Sequence, residues 1–200
     1  MEDSVERAAE HYRAGRLAEA IAECRTLLRT APRTPDTLNL LGAALFSAGE
    51  DGAAVEPLLD AVRFHPGHVS ALTNLAIVLQ HRQEWGAAER CFRRLLVLSP
   101  ELDFTHSRIG SVLKEKGDLH RAAQHLRRAI RLAPPSPQDW LNLGLVEMLN
   151  GEFAEAAEAF RRSVANDPGG AFAYAQLGEI LLRLGRRGAA AAAFTTPSTC

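Results

Sequence analysis

Prolines stand at Pro32, Pro66, Pro100, Pro134 and Pro168, each 34 residues after the last, with no insertion or deletion between them. An alanine keeps the same step at Ala20, Ala54, Ala88, Ala122, Ala156 and Ala190. So does a small residue, as Ala8, Gly42, Ala76, Gly110, Gly144 and Gly178. Gly15, Gly49, Gly117, Gly151 and Gly185 form a further register, broken only by Gln83. A single closed core gives no reason to hold four residue types in one phase. A stack of copies of one supersecondary unit does, because each copy must meet its neighbour in the same way.

The unit is clearest in the stretch 137–170, PQDWLNLGLVEMLNGEFAEAAEAFRRSVANDPGG. Trp140, Leu143, Gly144 and Glu147 recur at i, i+3, i+4, i+7, and Ala156, Phe160, Ser163 and Val164 at i, i+4, i+7, i+8. Both are helical periods. Gly151 follows the first pattern, where a positive φ can end a helix, and Pro168 follows the second, where proline forbids continuation. The unit is therefore a helical hairpin. Its small residues let two helix axes approach to about 8–10 Å. Bulky residues fill the space between, at Leu58, Phe92, Leu126, Phe160 and Phe194 and at Leu41, Leu75, Ile109, Leu143 and Leu177.

Trp140, Leu143, Gly144, Ala156, Phe160 and Pro168 match the pattern W-x2-L-G-x2-Y…A-x3-F…P, so the stretch resembles the tetratricopeptide repeat, with Glu147 in the tyrosine position. The resemblance extends over nearly the whole chain. It implies an all-α fold, a right-handed α-solenoid of stacked antiparallel hairpins in six 34-residue repeats: 1–34, 35–68, 69–102, 103–136, 137–170 and an incomplete 171–194. Residues 195–200 are expected to form an irregular tail, with Pro197 stopping the last helix.

Individual copies carry their own expectations. Ser4 and Arg7 replace apolar residues in repeat one, as suits a terminal repeat with one face in water. Thr34 and Pro35 read as a helix cap and a first-turn proline, and Pro57 should remove one backbone hydrogen bond of its helix and bend it. Gln83, with Trp85 just beyond, predicts a different internal turn in repeat three. Repeat six has no polar helix after it to cover its apolar side. That predicts either a longer polypeptide or self-association through the C-terminal repeat.

The 200 residues are 46% apolar and 6% aromatic with a formal net charge of −1, which favours a soluble helical protein and gives no support to nucleic-acid or anionic-membrane binding. No apolar run approaches the roughly 20 residues that span a bilayer, and the acidic N-terminus lacks a secretory signal pattern. Cys24, Cys91 and Cys200 are isolated, which suits a reducing compartment, so the cytoplasm is the expected location. Cys24 falls in the bulky core slot. Arg93 and Arg94, Arg127 and Arg128, and Arg161 and Arg162 read as a solvated face, supported by Glu89 to Arg93 and Glu158 to Arg162 at i, i+4.

In the family that this chain resembles, first helices line a concave groove and positions 2, 5, 6, 9, 12 and 13 of each repeat point into it. In this sequence those positions include Asn39, Asn74, Gln80, His81, Arg108, Ser111, Lys114, Gln138 and Asn142, with Thr73 and Ser107 beside them. Amide side chains carry donors and acceptors and can hold an extended peptide backbone in either direction. Arg108 and Lys114 favour an acidic group, Arg108 with bidentate geometry. The expected function is a protein–protein interaction scaffold that holds a partner peptide in this groove.

Two precedents within the family can be laid on the residues. The chaperone-binding carboxylate clamp is matched by Asn74 and Arg108 but not at Asn39, Ala43 and Phe104. The asparagine ladder of O-linked N-acetylglucosamine transferase is matched by Asn74 and Asn142 but not at Leu40, Arg108 and Gln176. Arrays of this kind precede bacterial glycosyltransferase and sulfotransferase domains. The resemblance therefore also implies an alternative role, as the partner- or substrate-selecting front section of a larger transferase.

No catalytic residue, cofactor or metal is expected. His65 and His68 have a metal-like spacing but no Cys or carboxylate beside them completes a ligand set, and His120 and His125 fall on different faces of one helix. There is no glycine-rich phosphate loop and no nucleophile with a visible base.

Overall fold

A computed structural model describes residues 2–30, 34–100, 102–132 and 134–195. The expectations for Pro32, Pro197 and Cys200 concern residues outside these. Among the described residues there are twelve α-helices and no strand. The chain divides into two compact units, Met1–Pro100 and Glu101–Cys200. The first holds α1 (Glu2–Arg13), α2 (Leu17–Thr30), α3 (Pro35–Ser47), α4 (Asp51–Phe64), α5 (Val69–His81) and α6 (Trp85–Leu98). The second holds α7 (Asp103–Glu115), α8 (Leu119–Leu132), α9 (Pro137–Leu149), α10 (Phe153–Asn166), α11 (Ala171–Arg183) and α12 (Arg187–Thr195).

In each unit, helices pair in sequence as three hairpins, and each hairpin packs on the next through its second helix and the following first helix. First helices also touch one another directly, α1 to α3, α3 to α5 and α7 to α9. The class is the all-α helical-repeat fold expected from the 34-residue period. The small-residue register acts where the hairpin closes: a Cβ on Gly144 would lie 2.6 Å from Phe160 Cε1, and one on Gly110 2.6 Å from Leu126 Cγ. Phe92, Leu126 and Phe160 are fully buried there, and Cys24 fills the same slot in the first hairpin. Phe194 differs, resting on the same face of Gly178 but 48% exposed.

The turn at Gln83 corrects the sequence expectation. Gln83 takes φ 61°, in the same left-handed region as Gly49 at 80° and Gly151 at 82°. Its N–H donates to Gln80 O at 3.0 Å and the Glu84 N–H to Leu79 O at 2.8 Å. Gly49 and Glu50 make the same pair of bonds to Phe46 and Leu45. The helix end has orphan carbonyls to satisfy, and this bond pattern satisfies them only with a positive φ at that position, so the geometry wins over the residue's own preference.

Helix starts follow the sequence more closely. The Thr34 hydroxyl accepts from the Thr37 N–H with Pro35 in the first turn, as expected. Ser136 and Asp139 form a reciprocal capping box on α9. His68 caps α5 through Nδ1, which accepts from Ala71 N–H at 3.1 Å, while its Nε2 faces Asp36 Oδ1 at 3.0 Å. That accounts for one histidine of the metal-like pair. α4 is continuous through Pro57. Among the described residues no helix is long and apolar enough to cross a membrane.

Candidate functional site

The nine residues expected in the groove separate into two groups and three side chains engaged elsewhere. On the first unit, Asn74 Nδ2 donates to Asn39 Oδ1 at 2.8 Å, linking α5 to α3. Each amide then keeps only part of its capacity for a ligand. His81 leaves this row: it pairs with Asp51 and sets its ring edge-on to Phe46, centroids 5.5 Å apart. Gln80 is half-buried, and its Oε1 is buried without a hydrogen-bond partner among the described residues. The Gln80 carbonyl oxygen is thus closed to a ligand, whereas the His81 side chain stays exposed with its Nδ1 given to Asp51.

On the second unit, Arg108, Ser111, Gln138 and Asn142 line one cleft of about 390 Å³. Helical spacing explains the grouping: 108 and 111 lie one turn apart on α7, 138 and 142 one turn apart on α9, and the two helices touch. Gln138 Nε2 donates to Asn142 Oδ1 at 3.0 Å, and Asn142 Nδ2 reaches Ser111 Oγ at 3.4 Å. Lys114 stays out of the cleft, its ammonium 2.9 Å from the Glu115 carboxylate.

Three parts of the cleft were not expected from sequence. Phe104 forms an apolar wall, Pro134 and Pro135 a rigid lip, and Asp139 brings a carboxylate into the lining. The Ser136-to-Asp139 spacing is a capping-box signature that sequence alone could have flagged. Asp139 is already committed: Oδ1 accepts from Ser107 Oγ at 2.5 Å, and Oδ2 accepts from the N–H and hydroxyl of Ser136 at 3.0 and 2.7 Å. Arg108 is exposed and makes no ion pair with any described residue. The uncommitted charge of the cleft is therefore positive.

Elsewhere in this unit, His106 on α7 meets His125 on α8, Nδ1 to Nδ1 at 3.0 Å. One ring must donate and the other accept, so the contact excludes protons on both facing nitrogens. Burial lowers the His106 pKa, and the Arg128 guanidinium lowers it further. Burial also raises the thiols of Cys24, to about 11, and of Cys91. Among the described residues no group of three or more His, Cys, Asp or Glu could hold a metal ion.

Stacked hairpins with polar first-helix faces define a helical-repeat scaffold of the kind that binds other proteins. Family models described as tetratricopeptide repeat match residues 5–69 and 108–171, and another of the same description matches 69–99. The chain belongs to the tetratricopeptide repeat family, whose members are generally non-catalytic scaffolds.

Solved structures agree on the fold. A tetratricopeptide repeat protein from Parabacteroides merdae superposes with a TM-score of 0.82 at 19% identity, covering 99% of this chain and 80% of that one. PilF of Pseudomonas aeruginosa gives 0.81 at 16% identity, covering 96% and 87%. MamA from Desulfovibrio magneticus gives 0.76 at 22%, covering 80% and 91%. No curated protein matches the sequence.

Proposed function

We propose that the chain is an interaction scaffold that holds an extended segment of a partner protein against its first helices, with an acidic side chain or C-terminal carboxylate at Arg108. The observation that carries this reading is the charge balance of the α7/α9 cleft, where Asp139 spends both oxygens inside the protein while Arg108 has no partner among the described residues. A guanidinium offers a planar pair of N–H groups that fits a carboxylate. Ser111, Gln138 and Asn142 supply donors and acceptors for the peptide backbone beside it. Phe104 and the proline lip supply an apolar wall of fixed shape.

The test is an immobilised array of short unstructured peptides, each made with an acidic group and with the corresponding amide. The protein is expected to prefer the acidic members, and Arg108→Ala to remove that preference, a loss of about tenfold or more for a charge-assisted contact. Replacing Asn142 by Ala should weaken acidic and amidated peptides alike. An acidic preference that survives Arg108→Ala would place the site elsewhere.

A further inference from the structure

Second helices of neighbouring hairpins leave a trough between them, floored by the first helix that separates them, and the two units fill this trough differently. α4, α5 and α6 begin at 51, 69 and 85, and α8, α9 and α10 at 119, 137 and 153, so each position of one set corresponds to one 68 residues later. In the second unit the trough holds about 470 Å³ and is charged. Arg127 of α8 crosses it to Glu147 of α9, at 2.5 Å, and Glu152 and Glu155 complete its edge. In the first unit Leu59 and Leu79 stand where Arg127 and Glu147 stand in the second, and the trough of about 390 Å³ is apolar. Val55 and Leu59 form one wall, Ala87 and Cys91 the other, and Leu75 and Leu79 the floor.

The charges around the first trough are unequal. Glu84 is taken by Arg82 at 2.7 Å, and Glu56 and Asp60 by Arg63 at 3.4 and 3.0 Å. Arg94 donates to the Pro66 carbonyl. Arg90, on the α6 rim, is exposed and has no ion-pair or hydrogen-bond partner among the described residues. From Val55 to Val62 the α4 wall is two helical turns, about 10 Å long. The trough opens to solvent on one side, with Val55, Leu59, Ala87 and Cys91 half-buried along its walls and Leu75 and Leu79 buried at its floor. A lipid chain lying there would keep one side in water, whereas enclosed small-molecule sites cover most of the ligand. A helix needs to bury only one stripe and can leave its other face wet.

We infer that the trough between α4 and α6 docks an amphipathic helix of a partner protein, seating apolar side chains at i, i+4 and i+7 over Leu75 and Leu79 with an acidic flank against Arg90. This surface is separate from the α7/α9 cleft. It uses different side chains and a different partner conformation.

The probe is a synthetic, fluorescently labelled helical peptide of about four turns, with leucines at i, i+4 and i+7 and glutamates along one flank. Its twin carries lysines in place of the glutamates. Anisotropy titrations with the full chain should show the glutamate peptide binding at least about tenfold more tightly than the lysine peptide. Arg90→Glu, a change at an exposed position, should reverse the order. Leu59→Arg with Leu79→Glu installs the crossing pair of the second unit and should abolish binding while helical circular dichroism is kept. Equal binding of the twins, no binding of either, or binding undiminished in the double variant would overturn the inference. So would oleate occupying the trough while both peptides bind alike, which would make it a lipid site. Concentration-dependent dimerisation that the double variant removes would overturn it as well, by assigning the trough to a second copy.

Discussion

The troughs over α5 and over α9 share a backbone plan and differ in a few side chains, chiefly Leu59 and Leu79 against Arg127 and Glu147 and Ala87 against Glu155, and that is enough to reverse their chemistry. Over α9, Glu147 is 2% exposed and is tolerated because Arg127 reaches it from the next helix. Burial raises the Glu147 pKa, Arg127 opposes that, and Glu155 and Glu152 add to it. Arg127 is thereby occupied within the protein and not available to a partner. Over α5, leucines replace both charges and leave apolar surface beside Arg90, which has no ion pair among the described residues. The lesson is that a repeat fixes where a groove lies, while the residues at two or three of its positions decide whether the protein fills it itself.

The hardest way to break this comparison is to install half of the pair. Leu79 is 6% exposed, so Leu79→Glu buries a carboxylate at the trough floor with an apolar Leu59 where the second unit has Arg127. The expected loss is about 3 kcal/mol in urea unfolding. Adding Leu59→Arg should recover most of it, and a double-mutant cycle measures the coupling. Coupling near zero would mean that the two troughs are not equivalent.

A smaller effect separates the units by pH. His106 and His125 correspond to Leu38 and Pro57 in the first unit, so only the second carries the imidazole pair. The folded His106 pKa lies below its ordinary value, so the unfolded chain takes up the proton first as pH falls. The stability is fully present above the ordinary imidazole value of about 6.5 and is lost as pH drops from there through the lowered one, at no more than about 1.4 kcal/mol per pH unit. His106→Leu should flatten that part of the profile. An unchanged slope would remove the histidine contact from the account.

The smallest effect concerns the one turn without glycine. Gln83→Gly relieves a positive φ and should raise stability by about 0.5–1 kcal/mol, visible as a small rise in Tm. The equivalent glycines already have this conformation at no steric cost. A drop in Tm would show that the Gln83 side chain contributes more than its backbone costs.

The periodic features were legible because they answer to local rules. Gly144 faces Phe160 for the same reason that Gly110 faces Leu126, and both follow from residue size at fixed spacing. Thr34 and Ser136 cap their helices as their types prefer. The candidate site was legible in part. Arg108, Ser111, Gln138 and Asn142 share a cleft, whereas Gln80, His81 and Lys114 are engaged elsewhere, by burial or by Asp51 and Glu115. Position within a repeat tells which face a side chain starts from. It does not tell which neighbour reaches it first.

Sequence by itself determined the hairpin, its length and its closure, because helical period, turn geometry and small-against-large packing are all set within about 34 residues. Tertiary structure decided which charges are spent. The partners that Asp139, Glu147 and His106 find on adjoining helices lie 19 to 32 residues away in sequence, and Arg108 and Arg90, unpaired among the described residues, are what those pairings leave over. Electrostatic pairing depends on distance in space, and only the packed helices supply that distance.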